Sequence, residues 1–280
     1  LSKKSKINIK DHSVTKENFD LIYNEELDMY STDPIPQNLE KYYLSENYIS
    51  HTDSKKGIVE KLYQLVKSYM LKKKLKLVSD YSATGSLLDI GAGTGDFLKV
   101  AKNKGWDVEG IEPSEIARTH AETKELLLYA DEGGVGEQTF DVITMWHVLE
   151  HVPNLQKQIN WLAEHLDKNG TLIIAVPNFN SCDAKMYKEF WAAWDVPRHL
   201  HHLSAKSIKT LFSKNGFEVI DQKPLIFDSF YVSLLSEKYK GSQFKFISAF
   251  INGLRSNLKA NSSGEYSSLI YILKRTDFAK

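Results

Sequence analysis

The stretch LLDIGAGTGDFL, residues 87–98, runs from an apolar segment into Gly91, Gly93 and Gly95, with Asp89 ahead of them and Asp96 behind. Glycine costs backbone entropy, so three within five residues imply a ligand that approaches the backbone more closely than a Cβ allows. A phosphate-cradling P-loop needs Lys-Ser or Lys-Thr after its last glycine, and here Asp96-Phe97 follows. A dinucleotide turn of the G-x-G-x-x-G kind also fails, because the third glycine position falls on Asp96. Two acids beside the loop disfavour a pyrophosphate and suit an adenosine ligand without phosphates, particularly a cationic one. Glu112 lies 21 residues beyond Gly91, at the end of the next apolar segment. At that offset a carboxylate accepts hydrogen bonds from both ribose hydroxyls.

Two further clusters could carry chemistry. HVLEH, His147 to His151, spells the H-x-x-E-H of inverted zinc peptidases, but Pro153 cuts short the helix such a site needs. The reading adopted puts His147 in the ligand crevice and treats Glu150 and His151 as structural hydrogen-bonding groups, with no metal. The second cluster, FWAAWDVPRHLHHLS (190–204), packs two tryptophans, an acid, an arginine and three histidines into fifteen residues. Trp191 and Trp194 could stack on a flat acceptor. Arg198 could hold an anionic group bidentately, and His199 could act as a base. The structural alternative makes the tryptophans core and pairs Arg198 with Asp195.

These groups need a scaffold, and the hydrophobic pattern supplies one. From SLLDI onward, apolar segments alternate with amphipathic ones: DFLKVAKNKG, DVEGIE, SEIARTHAET, LLLYA, FDVITMWH, LQKQINWLAEHLDKNG, TLIIAVPN, SAKSIKTLFSKNG, FEVIDQKPL and SLIYILKR. Strands alternating with helices give a parallel sheet covered on both faces, with ligands at the carboxyl ends of the strands. Ahead of it, residues 55–78 have helical spacing, with Lys72, Lys73 and Lys74 expected on a solvated face. The 280 residues hold 36 basic and 36 acidic side chains, which argues against nucleic acid or a membrane as partner. One cysteine, Cys182, excludes an internal disulfide and suits a reducing compartment. With no signal-peptide pattern or membrane-length apolar run, a cytoplasmic location is expected. The sequence starts at Leu1 rather than Met, which leaves room for residues upstream.

LLDIGAGTGDFL, VEGIEPS, FDVITMWHVLEHV and GTLIIAVPN follow one another as do the motifs of class I S-adenosylmethionine-dependent methyltransferases, which this chain resembles over about residues 55–223. The resemblance implies an α/β fold: a seven-stranded, mostly parallel, doubly wound sheet of the Rossmann-like kind with a reversed last strand. It implies S-adenosylmethionine as cofactor, with the backbone around Gly91, Gly93 and Gly95 against its methionine part, Asp89 and Ala92 as further contacts and Glu112 on the ribose. Pro113 would flank the adenine, Ala130 and Asp131 would reach its amino edge, and Trp146 and His147 would border the crevice. The PRHLHHLS segment resembles one that borders the acceptor pocket, so Asp195, Arg198, His199 and His147 are the candidate catalytic residues. Ubiquinone-pathway O-methyltransferases are similar at HVLEH, with an acidic residue at the position of His147, and can hold a divalent metal there. Imidazole in place of that hard oxygen ligand disfavours magnesium.

The ends are particular to this chain. NFDLIYNEELDMYSTDPIP resembles the tail of a zinc ribbon whose ligand positions would fall near Asn24 and Leu27, but its cysteines are absent. Residues 1–54 are expected to form an extension and lid, with Tyr43, Tyr48 and His51 facing the cofactor. Residues 55–280 are expected to form the methyltransferase domain, with a helical insertion at about 225–265 over the acceptor site or at a subunit contact. The expected function is methyl transfer to oxygen or carbon of a small molecule by a monomer or homodimer. The alternatives are a cofactor-binding domain without acceptor chemistry, or an RNA or protein methyltransferase. Neutral charge and the lack of an Asn/Asp-Pro-Pro-aromatic motif count against the latter.

Overall fold

A computed structural model of the chain describes residues 5–43 and 58–276. Its main sheet grows outward from the apolar run that leads into the glycine loop. β4 (Ser86–Ile90) is flanked by β5 (Asp107–Ile111) and then β6 (Leu128–Tyr129) on one side, and by β7 (Phe140–Trp146) and then β8 (Leu166–Pro177) on the other. These five strands are parallel. β11 (Ser268–Arg275) lies antiparallel between β8 and β10 (Phe217–Pro224), completing seven strands with the expected reversal.

Alternation along the strands decides which residues meet which layer. Leu88, Ile143, Leu172 and Tyr271 face α4 (Leu155–His165) and α6 (Ala205–Ser213), where Ile159, Leu162, Ile208 and Phe212 complete one core. Leu87, Val142, Ile173 and Ile272 face α1 (Ile58–Tyr81) and α2 (Asp96–Lys102), packing on Leu75, Val78, Leu98 and Ala101. Side-chain caps start the helices where the sequence offers them. Ser114 caps α3 (Glu115–Glu122), Asn154 caps α4, and Ser204 with Ser207 forms a capping box on α6. The lysines of α1 divide: Lys72 and Lys73 are exposed, but Lys74 is half-buried, its ammonium 4.4 Å above the ring of Trp146. The expectation of three solvated lysines therefore fails at Lys74, which the helix turns inward.

The described part of the amino-terminal extension is a β-meander. β1 (Lys6–Lys10), β2 (Asn18–Asn24) and β3 (Met29–Asp33) pair antiparallel, and β3 continues onto β9 (His201–His202) of the PRHLHHLS segment. Ile9, Leu21 and Tyr30 pack into a third core with Phe179, Trp191 and Trp194. The turn after β1 is gathered by Asp11, whose carboxylate accepts from the backbone amides of Ser13, Val14 and Thr15. Asn24 accepts from the Leu27 amide in the β2–β3 turn. Between β10 and β11 stand two helices, α7 (Asp228–Tyr239) and α8 (Lys245–Ser263), with the short α5 (Cys182–Tyr187) packed against them. No described helix is long and apolar enough to cross a membrane.

Candidate active site

The glycine loop is built as its composition requires. Gly91, Gly93 and Gly95 have φ of +73°, +54° and +75°, in the left-handed region. A Cβ on Gly91 would meet Val148 at 2.4 Å, and one on Gly95 would meet Leu126 at 2.6 Å. At Gly93 nothing lies within 4 Å, so the middle of the loop opens onto free space. Glu112 is oriented there: Oε2 accepts from the Gly93 amide at 2.9 Å and Oε1 from the Ser114 amide at 2.8 Å. A carboxylate fixed by two amides has lone pairs left for hydroxyl donors.

Asp89 is buried on β4 and accepts from Thr144 Oγ1 at 2.6 Å across the β4–β7 pair. Burial pushes its carboxyl up to about 7, against the hydrogen bond from Thr144 and the nearby charge of Lys74. Asp96, the other flanking acid, is neutralised by Lys67 at 2.7 Å and Lys124 at 2.6 Å. Pro113, Ala130 and Asp131 are exposed on the same rim, and Asp131 accepts from the Gly133 amide at 2.9 Å. Trp146, at the end of β7, has its indole Nε1 buried without a partner.

The turn after β7 (Leu149–His151) brings the second cluster against this loop, since Val148 abuts Gly91. His147 turns the chain there with φ +59°. Its Nε2 lies 2.9 Å from Asp228 Oδ2 on α7, and its Nδ1 lies 3.3 Å from Glu150 Oε1. Burial opposes a charge on the ring, but the two carboxylates overcome it and raise the imidazolium to about 10. With a proton on each nitrogen and a carboxylate at each, His147 cannot take a proton, and its candidacy as a base falls.

His151 differs. Burial and the neighbouring His199 lower its pKa to about 4, so the ring is neutral. Its Nδ1 lies 2.9 Å from the carbonyl of Arg198, a group that only accepts, which puts the hydrogen on Nδ1 and the lone pair on Nε2. The hydroxyl of Tyr43 lies 3.2 Å from the same Nδ1, so Tyr43 faces His151. Tyr48 and His51 lie outside the described residues.

PRHLHHLS holds the site together more than it lines it. Arg198 is 2% exposed, and its guanidinium is fully engaged. It donates to Asp195 at 2.6 and 3.0 Å, to Asp11 at 3.1 Å, to the carbonyl of Tyr42 at 3.0 Å, and to Ser13. Neither Arg198 nor Asp195 is free to bind an acceptor, which corrects the sequence reading. Trp191 and Trp194 are buried, donating to Asp183 and to the carbonyl of Lys188, so they are core rather than stacking platforms. His199 is 9% exposed and gives its Nδ1 hydrogen to the carbonyl of Ala193 at 2.9 Å. Its ring stands edge-on to His151, with centroids 4.7 Å apart.

Glu150, His151 and His199 each present a ligand atom within 4.8 Å of the other two. Glu150 is 1% exposed and its Oε2 has no partner. Both histidines are anchored through Nδ1 to backbone carbonyls, the orientation that leaves Nε2 for a metal or a proton. Sequence reasoning missed Asp228 and the role of His199 beside Glu150. No local signal marks the first, while HVLEH and PRHLHHLS together contain the second.

The seven-stranded sheet with its reversed β11, and the glycine loop and acid at the strand ends, define a class I methyltransferase that uses S-adenosylmethionine. A methyltransferase-domain family model matches residues 60–222, and the chain belongs to that family. It is 26% identical over 213 residues to a ubiquinone biosynthesis O-methyltransferase of Rickettsia canadensis, covering 68% of this chain and 86% of the relative. Its fold is similar to magnesium protoporphyrin IX methyltransferase from Synechocystis with bound S-adenosylhomocysteine, at TM-score 0.55 and 16% identity over 83% of this chain and 96% of that one. It is also similar to a cyclopropane synthase from Mycobacterium tuberculosis, at TM-score 0.52 and 14% identity over 86% of this chain and 99% of that one.

Proposed function

We propose that the chain methylates a hydroxyl oxygen of a small-molecule acceptor, with His151 as the general base. The observation that carries this reading is geometric: His151 gives its Nδ1 hydrogen to the Arg198 carbonyl, which leaves the lone pair on Nε2, and it stands on a turn that packs against Gly91. The open space at Gly93 and the oriented Glu112 fit the cofactor, with Asp89, Ala92, Trp146 and the rim of Pro113, Ala130 and Asp131 as further contacts. When bound, S-adenosylmethionine supplies an electrophilic methyl on a sulfonium. The protein would position the acceptor in line and take the hydroxyl proton onto His151 Nε2, so that the S–CH3 bond breaks as the O–CH3 bond forms and the products are a methyl ether, S-adenosylhomocysteine and an imidazolium. The relatives named O-methyltransferases favour oxygen over carbon.

Transfer of labelled methyl to a panel of phenols and catechols tests the reading. His151→Ala should lower turnover roughly 10²–10⁴-fold with affinity for S-adenosylhomocysteine retained. Unchanged turnover would remove His151 from the chemistry.

The orphaned Glu150 Oε2 favours one second reading, in which Glu150, His151 and His199 hold a divalent metal that binds the acceptor oxygen. Chelator-resistant turnover supports the base. A chelation loss restored by added manganese, and absent in His199→Ala, supports the metal.

A further inference from the structure

The helical hairpin between β10 and β11 carries an apolar face that the described chain leaves mostly exposed, with Phe250 stacked on Phe230 of the neighbouring helix at its margin. On α8, Phe246, Ile247, Phe250, Ile251, Leu254 and Leu258 recur at helical spacing and are all exposed, Phe246 by 70% and Phe250 by 61%. The helix is docked by its small residues instead: Ala249, Gly253, Ser256 and Ala260 are buried. A Cβ on Gly253 would meet Phe230 of α7 at 2.7 Å, so the small face is required for close packing and the large apolar face must point outward. Exposed apolar surface of this extent marks a contact with another body.

Charge identifies that body. Residues 238–264 contain Lys238, Lys240, Lys245, Arg255 and Lys259 and no acid, within a chain of 36 cations and 36 anions. Arg255 and Lys259 are exposed on α8, beside the apolar stripe. A second copy docking through this face would bring cations against cations. An anionic lipid surface would accept both the cations and the apolar side chains. We propose that the α7–α8 hairpin docks peripherally on anionic membranes, with α8 lying in the headgroup plane. The overall charge balance, which argues against a membrane partner, conceals this segregation. Because Asp228 on α7 contacts His147, the docked hairpin sets one wall of the active site at the membrane.

Flotation of the full chain with vesicles of phosphatidylcholine alone, or of equal parts phosphatidylcholine and phosphatidylglycerol, tests this. Recovery with the anionic vesicles should be roughly tenfold or more above the neutral ones and should fall at high salt. Phe246→Ser with Phe250→Ser should abolish it while leaving the thermal melt unchanged. Lys245→Glu with Arg255→Glu and Lys259→Glu should remove the preference for anionic lipid, and decides the matter should the serine variant unfold. Absence of flotation, or equal recovery on both vesicles, overturns the proposal. So does a wild-type dimer by light scattering that does not float and becomes monomeric in the serine variant, which assigns the face to a second copy.

Discussion

His147 and Asp228 meet at 2.9 Å, joining the end of β7 to the first turn of α7. The contact ties the carboxyl edge of the sheet to the hairpin inserted before its last strand. Asp228→Asn should therefore lower the titration midpoint of His147 from about 10 toward the ordinary imidazole value, read by NMR. A folded-state pKa raised above the unfolded one stabilises fully below about 6.5, and the gain disappears as pH rises through the folded value. With the His147 side chain 35% exposed and screened, the wild type should exceed the variant by on the order of 1 kcal/mol at pH 6 and lose that margin above pH 10.

The ion cluster of Arg198, Asp195 and Asp11 is buried, so cutting it should cost more. Arg198→Ala should destabilise by about 3–5 kcal/mol, because Asp11 would be left charged without its partner. Burial would raise the Asp11 carboxyl, but the amides of Thr15 and Val14, Ser13 and Arg198 together hold it well below the usual range. Its contribution is thus present above the ordinary carboxylate pKa and lost as pH falls through the folded one. Asp11→Asn should flatten the acid limb of a urea-unfolding profile, and an unchanged limb would deny the cluster that role.

Glu112→Ala should remove measurable cofactor binding by calorimetry, since each hydrogen bond to a charged acceptor contributes about 1.5–3 kcal/mol. The melt should shift only slightly. Unchanged affinity would end the ribose assignment.

His199→Ala separates support from chemistry. If His151 is the base, this variant leaves the Ala193 carbonyl unpaired, costs about 1–2 kcal/mol of stability, and slows turnover far less than His151→Ala. Equal losses in both variants would make the two histidines one functional unit.

The glycine loop and Glu112 were legible because their chemistry is local: the loop's glycines, the acid and their offset lie within two adjacent β–α turns. The last strand itself was legible from SLIYILKR, but its reversal came only from the resemblance to the family, because its partners β8 and β10 lie far back in the chain. Arg198 was not, since its buried partner Asp11 lies 187 residues earlier. A sequence shows that an arginine stands among aromatics and histidines, but not that a distant carboxylate has already claimed it. The amino-terminal meander hid behind turn residues, because NFDLIYN buries only Phe19 and Leu21. Asp228 gave no signal at all, for an acid in the first turn of a helix is ordinary.

β11 lies between β8 and β10, yet it is the last of the seven strands to be made. During translation β8 must wait, its apolar edge unpaired, until residues 268–275 leave the ribosome. Unpaired edges recruit other strands, so this interval is when a nascent chain is most exposed to misassembly.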